Sequence, residues 1–264
     1  MPSTTKAINY WPDDACAKAF WGQHVLPPYR QLLRDTAAWL EPKAGERWLD
    51  LGCGCGQLAK AVWQQSGGAV AEVIGLDCAP ANAQAFVKLR ASLQPAPTED
   101  ALRFVAGDFS RGLAAWSGEH FDGVVSGLAV QYAESYSEVE GRWTCEAYDR
   151  LLAEAARLLR AGGRFVFSVN VPEPSWGGVA LRSLPAALRR RNPLRYLLKC
   201  YRMWRYGGWL KRQARQGRFH YLPLPIVLGK LAAAGFVRVE HRLSFAGQAY
   251  LLRAWKPTPG AQAA

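Results

Sequence analysis

The stretch Arg47-Trp48-Leu49-Asp50-Leu51-Gly52-Cys53-Gly54-Cys55-Gly56-Gln57 decides the fold. Trp48 and Leu49 continue into Leu51 as an apolar run of the kind that forms a buried parallel strand, and Leu58, Ala61 and Val62 have the spacing of a helix's inner face. A strand-to-helix turn therefore lies between them. Gly52, Gly54 and Gly56 give that turn access to positive φ and leave no Cβ to hold a ligand away from the main-chain amides. Asp50 is placed at the lip of the crevice where open α/β sheets take their ligands.

Outward from this turn the strand-helix rhythm repeats, which predicts a doubly wound parallel sheet. Residues 71–77 read as the second strand, ending at Asp77, 27 positions after Asp50. A carboxylate there has two oxygens with which to accept both hydroxyls of a ribose, although Asp is also a good cap for the helix expected over 80–93. Residues 102–106 form the third strand, followed by Gly107-Asp108-Phe109, and residues 121–126 the fourth. Periodicity predicts one or two helices over 136–160, stopped by Ala161-Gly162-Gly163 before a strand at 164–169. A helix over 223–234 and strands over 236–243 and 248–255 complete the pattern, the last antiparallel.

Asp50-Leu51-Gly52-Cys53-Gly54-Cys55-Gly56 resembles the first motif of class I S-adenosylmethionine-dependent methyltransferases, hydrophobic-Asp-x-Gly-x-Gly-x-Gly, and LLRAGGRFVFSV is similar to their structural post-motif. The resemblance spans about residues 40–170. It implies a Rossmann-like, doubly wound seven-stranded sheet, mostly parallel with an antiparallel last strand, and S-adenosylmethionine as the methyl donor. Asp50 would then lie near the donor's ammonium, Asp77 at its ribose, and Asp108 and Phe109 at its adenine. Gly52, Cys53, Gly54, Gly56, Cys78 and Ser126 complete the expected cofactor-binding set. The loop after the fourth strand lacks Asn/Asp-Pro-Pro-Tyr and Pro-Cys, and FDGVVSGLAVQYAES is similar to methyltransferases of small molecules, where it borders the acceptor. His24 and His220, in segments expected to cover the pocket, and Tyr132 and Glu134, beside the methyl, are candidates for catalysis. Tyr10, Trp11 and Tyr29 are candidates for closing over the donor.

Composition bounds the rest. The chain's 264 residues, 50% of them apolar, suffice for a core, and no uninterrupted apolar run approaches the 18 or so residues that span a bilayer. The polar start lacks a signal peptide's apolar centre, so a cytoplasmic protein is expected. Six cysteines without C-x-x-C pairs read as reduced small residues, not metal ligands. The chain divides into a helical cover (1–45), a donor-binding core (46–171), an insertion (172–222), the last helix and strands (223–256) and a disordered tail (257–264).

The insertion holds 12 Lys/Arg and one acid, a net charge of +11 against +12 for the whole chain, interleaved with eight Trp, Tyr and Phe. That mixture suits a solvated lid, an anionic membrane surface on which the protein sits peripherally, or single-stranded nucleic acid. The missing base-methylation motif disfavours nucleic acid. The expected activity is methyl transfer to a small, apolar or amphipathic acceptor of quinone, isoprenoid or lipid type. The alternatives are a nucleic-acid methyltransferase and a non-catalytic donor-binding protein.

Overall fold

The structure is a computed structural model that describes residues 11, 21, 23–186, 192–258 and 260. Its centre is a sheet of seven strands in the order β3-β2-β1-β4-β7-β9-β8. These are β1 (Arg47–Leu51), β2 (Glu72–Asp77), β3 (Leu102–Ala106), β4 (Phe121–Gly127), β7 (Leu159–Asn170), β8 (Val237–Ser244) and β9 (Ala249–Trp255). β1 pairs in parallel with β2 and β4, and β4 with β7, whereas β9 runs antiparallel to both its neighbours. The expected architecture, including the antiparallel last strand, is the one observed.

Alternation along the strands explains the layers. On one face Leu49, Leu51, Ile74, Phe165 and Phe167 meet α4 (Glu146–Leu158) and α7 (Leu224–Ala233). On the other, Trp48, Val73, Val125 and Val166 meet α2 (Gln57–Gln65) and α3 (Asn82–Ser92). Each such fully buried large side chain contributes about 1.5–3 kcal/mol. Helix α1 (Pro27–Ala37) begins with its prolines in the first turn, where the missing N–H costs no bond.

One expectation fails. Residues 136–144 are not helical: β5 (Ser135–Ser137) and β6 (Arg142–Thr144) form a separate antiparallel hairpin, and helix begins only at Glu146. Gly141 takes φ +64° in the turn. Tyr136 and Trp143 face each other across it with ring centroids 5.1 Å apart. Tyr and Trp at this separation satisfy a cross-strand pair as well as a helical period, and the glycine turn decides between them.

The insertion folds as α5 (Trp176–Ser183) and α6 (Pro193–Arg215), laid over the carboxyl ends of the strands. Gly207 lets α6 cross Trp176 closely, since a Cβ there would meet the indole at 2.7 Å. Ion pairs from Lys211 and Arg215 to Glu173, at 2.6 and 2.9 Å, tie the end of α6 to the strand exit. Tyr10 of the expected helical cover, and most of the tail, lie outside the described residues.

Candidate functional site

The 52–56 turn is held by backbone bonds that leave one glycine facing open space. Gly52 and Cys53 donate to the Leu76 carbonyl at 2.8 and 3.1 Å, which ties the turn to the end of β2. Gly52, Gly54 and Gly56 have φ of +66°, +52° and +76°. Their three missing side chains do different work. A Cβ on Gly52 would meet Ala129 at 2.3 Å, and one on Gly56 would meet Leu89 of α3 at 2.6 Å, so both glycines serve close approach of protein to protein. A Cβ on Gly54 would meet nothing within 4 Å, and Gly54 lines a large cavity.

Two acids flank this opening. Asp50, 1% exposed, accepts from the Ala59 amide at 3.0 Å at the start of α2, and burial pushes its carboxyl up to about 7. Asp77 accepts from Gly54 N at 2.9 Å and from Ala79 N at 2.9 Å; burial raises it while those bonds oppose the rise. Asp50 keeps lone pairs beyond its one bond, whereas Asp77 accepts a further bond from the Cys78 amide. Asn82, in the first turn of α3, also bonds Asp77 and accepts from the Trp21 indole at 2.6 Å. Asp108 caps the short turn after β3 by accepting from Ser110 N at 2.9 Å. Asp50, Cys53, Asp77, Cys78, Asp108 and Phe109 all line the cavity, as do Gly52 and Gly54.

The opposite wall is apolar and comes from α1 and its N-terminal flank, α5, α6 and the turn between β8 and β9. Leu26, Tyr29, Leu33, Val179, Met203, Leu210 and Phe245 line it, with Trp176 and Trp204. Trp11 lies 4.6 Å from Tyr132, centroid to centroid, and both rings reach the cavity. Asn170, at the end of β7, also lines it; its Oδ1 and the Trp176 Nε1 are buried and have no hydrogen-bond partner among the described residues.

The remaining sequence candidates separate. Tyr132 lines the cavity, with its hydroxyl 3.1 Å from that of Tyr221. His220 does not reach it. The imidazole is 2% exposed, wedged between the Cys145 thiol at 3.5 Å and the Ala133 carbonyl at 2.8 Å, and burial lowers its pKa. Glu134 also faces away, paired with Arg218 at 2.9 Å, while burial pushes it up to about 7 against the pull of that arginine. Ser126 is fully buried and donates to the Leu51 carbonyl at 2.8 Å, so its hydroxyl joins β4 to β1 and does not face a ligand. Gly56 serves helix packing, as above. The His24 side chain lies outside the described residues.

Trp21, Asn82, Asn170 and Trp176 are site residues that sequence reasoning missed. Asn82 carried a signal, standing five positions after Asp77 at the start of the next helix. The others are gathered only by the tertiary fold.

Residues 49–167 match the family described as "Methyltransferase domain". A chain of the complex between the Haloferax volcanii Trm112 methyltransferase activator and a methyltransferase is 17% identical, with 95% of this chain and 99% of that one covered and a TM-score of 0.62. An S-adenosylmethionine-dependent methyltransferase from Mesorhizobium loti is 22% identical, covering 84% and 96% of the two chains with a TM-score of 0.51. The [4+2]-cyclase SpnF is 16% identical over 87% and 81%, with a TM-score of 0.55. No curated protein matches the sequence.

Proposed function

We propose that this chain, whose residues 49–167 match a methyltransferase domain, is a class I S-adenosylmethionine-dependent methyltransferase that transfers the donor's methyl group to a small apolar or amphipathic acceptor enclosed beneath the α5–α6 lid. The observation that carries the reading is the cavity's asymmetry: acids and bare backbone on the turn side, aliphatic and aromatic side chains on the lid side.

The turn side fits the donor. Gly54, whose Cβ would project into open space, lets the methionyl portion lie against the main chain. Asp50 would take the ammonium, Asp77 the ribose hydroxyls, and Asp108 with Phe109 the adenine. When bound, the donor supplies a methyl group already activated by its positive sulfur. What the protein must add is alignment and exclusion of water, for which placing reactants within about 3–3.5 Å is the main requirement. The aromatic and aliphatic wall supplies that exclusion.

Tyr132 is the candidate at the acceptor end. Its hydroxyl, coupled to that of Tyr221, can pass a hydrogen bond to a reacting oxygen. The Tyr132 hydroxyl beside an otherwise apolar lid wall favours an amphipathic acceptor, of quinone, isoprenoid or lipid type, over a pure hydrocarbon. His220 and Glu134 have no part in this scheme.

The test is incubation with methyl-labelled S-adenosylmethionine and a panel of hydroxylated, quinone-like and isoprenoid compounds. The reading expects label in an organic-soluble product and equimolar S-adenosylhomocysteine. Donor binding without turnover across the panel, with label appearing instead in added RNA, would overturn the acceptor class. SpnF shows that a neighbour of this fold can bear a different chemical name, so turnover and not fold is the decisive readout.

A further inference from the structure

The lid helices have two apolar faces. Cys200, Met203, Gly207 and Leu210 line the cavity at spacings of three and four, one stripe of α6. The outward stripe carries Leu194, Leu197, Leu198 and Tyr201, all exposed, and the end of α5 with the turn after it adds exposed Leu181 and Leu184. Twelve large hydrophobic side chains are exposed among the described residues, and seven of them lie within 181–204. Solvated helix faces carry charge in such positions, so this concentration marks contact with another body.

Charge identifies that body. Of the insertion's cations, Lys211 and Arg215 pair with Glu173 and Arg218 with Glu134. Arg202 and Arg205 are exposed on the same turns as Tyr201 and Trp204. A leucine ridge edged by arginines and set with Tyr and Trp matches an anionic bilayer: aliphatic groups enter the acyl boundary, rings settle at headgroup level and cations meet phosphate. A second copy supplies no net negative complement, because the residues outside the insertion sum to +1, from +12 less +11. Trp204 joins the two faces, being 49% exposed and also lining the cavity.

We infer that the outer face of α5 and α6 docks on an anionic membrane surface and that an apolar acceptor passes from the bilayer into the cavity beside Trp204. The docking rests on the surface alone; the passage of an acceptor rests on the methyl-transfer reading. The test is co-sedimentation with phosphatidylcholine vesicles, with and without phosphatidylglycerol, while affinity for S-adenosylhomocysteine is measured in parallel. The protein should sediment with the anionic vesicles and release as salt shortens the screening length below about 8 Å. Replacing Arg202→Gln together with Arg205→Gln should weaken binding about thirtyfold, the equivalent of two cations at about 1 kcal/mol each. Leu197→Glu with Leu198→Glu should abolish it, and neither pair should change S-adenosylhomocysteine affinity. Equal sedimentation with neutral and anionic vesicles, none with either at low salt, or full binding by the Leu197→Glu, Leu198→Glu protein would overturn the docking. Light scattering that finds a dimer dissociated by that same pair would assign the face to self-association instead.

Discussion

The 52–56 turn and the α5–α6 lid bound one cavity from opposite sides, and they are made differently. The turn presents main chain: its shape is fixed by positive φ at three glycines and by amides bonded to Leu76 and Asp77. The lid presents side chains on the long helix α6 and the short helix α5, held at their margins by Glu173 and by aromatic contacts to Trp11, Tyr132 and Phe219. Backbone geometry tolerates few substitutions, whereas an apolar wall tolerates many of equal volume. One side is thus suited to a constant donor and the other to an acceptor that can differ among proteins sharing the fold.

The largest effect should come from breaking the turn where it faces the cavity. Gly54→Val places a β-branched side chain in the donor's space at a φ that such residues avoid, and S-adenosylhomocysteine affinity should fall about a hundredfold, corresponding to the upper end of overpacking costs near 3 kcal/mol. Gly56→Ala sharpens the contrast. Its Cβ would strike Leu89 and Phe86, so thermal stability should drop by about 1–3 kcal/mol. If Gly56→Ala instead keeps full stability and loses donor affinity, the division of labour among the glycines is wrong.

Asp77→Ala should weaken the donor at least about tenfold in calorimetry, by stranding ribose hydroxyls at about 1–3 kcal/mol. Because Asp77 accepts from Gly54 through one oxygen and from Ala79 through the other, Asp77→Asn keeps one of these two turn bonds while losing the charge, whereas Asp77→Ala loses both. Unchanged affinity in both variants would remove Asp77 from the donor site.

A smaller effect concerns pH. Asp50 titrates near 7 in the folded protein because it is buried, above its unfolded value of 3.8. Its contribution to the stability of the free protein is therefore fully present below 3.8 and lost as pH rises through about 7. A cationic ammonium favours the ionised form, so donor affinity should decline as pH falls below 7, approaching tenfold per unit, with a proton released on binding. Calorimetry in buffers of different ionisation enthalpy measures that proton; none released at pH 6.5 would separate Asp50 from the ammonium.

These contrasts also explain what was legible in the sequence. β1, β2 and β4 end close to where their apolar runs end, because a parallel strand buried on both faces announces itself by composition, and the acids at the ends of β1 and β2 and after β3 converge for topological reasons. Ser126 misled because its place at a strand end does not say which way its side chain points; alternation turned it to the Leu51 carbonyl. His220 misled because the residues that bury it, Ala133 and Cys145, lie 87 and 75 positions away. The hairpin over 135–144 was hidden by aromatics at a spacing shared by helix and hairpin, although Glu140-Gly141 was the available turn signal. The lid's cations were plain from composition, but the outward placement of Leu194, Leu197 and Leu198 appears only once α6 is seen to face the cavity with its other stripe.

The most direct test of the division between the two walls is a calorimetric titration with S-adenosylhomocysteine of three proteins: wild type, Gly54→Val, and Leu197→Glu with Leu198→Glu. One site per chain in the wild type, unchanged in the lid variant and weakened about a hundredfold in Gly54→Val with its circular dichroism intact, is the predicted result. Absence of binding in the wild type, or equal affinity in Gly54→Val, would contradict a donor seated against the 52–56 turn.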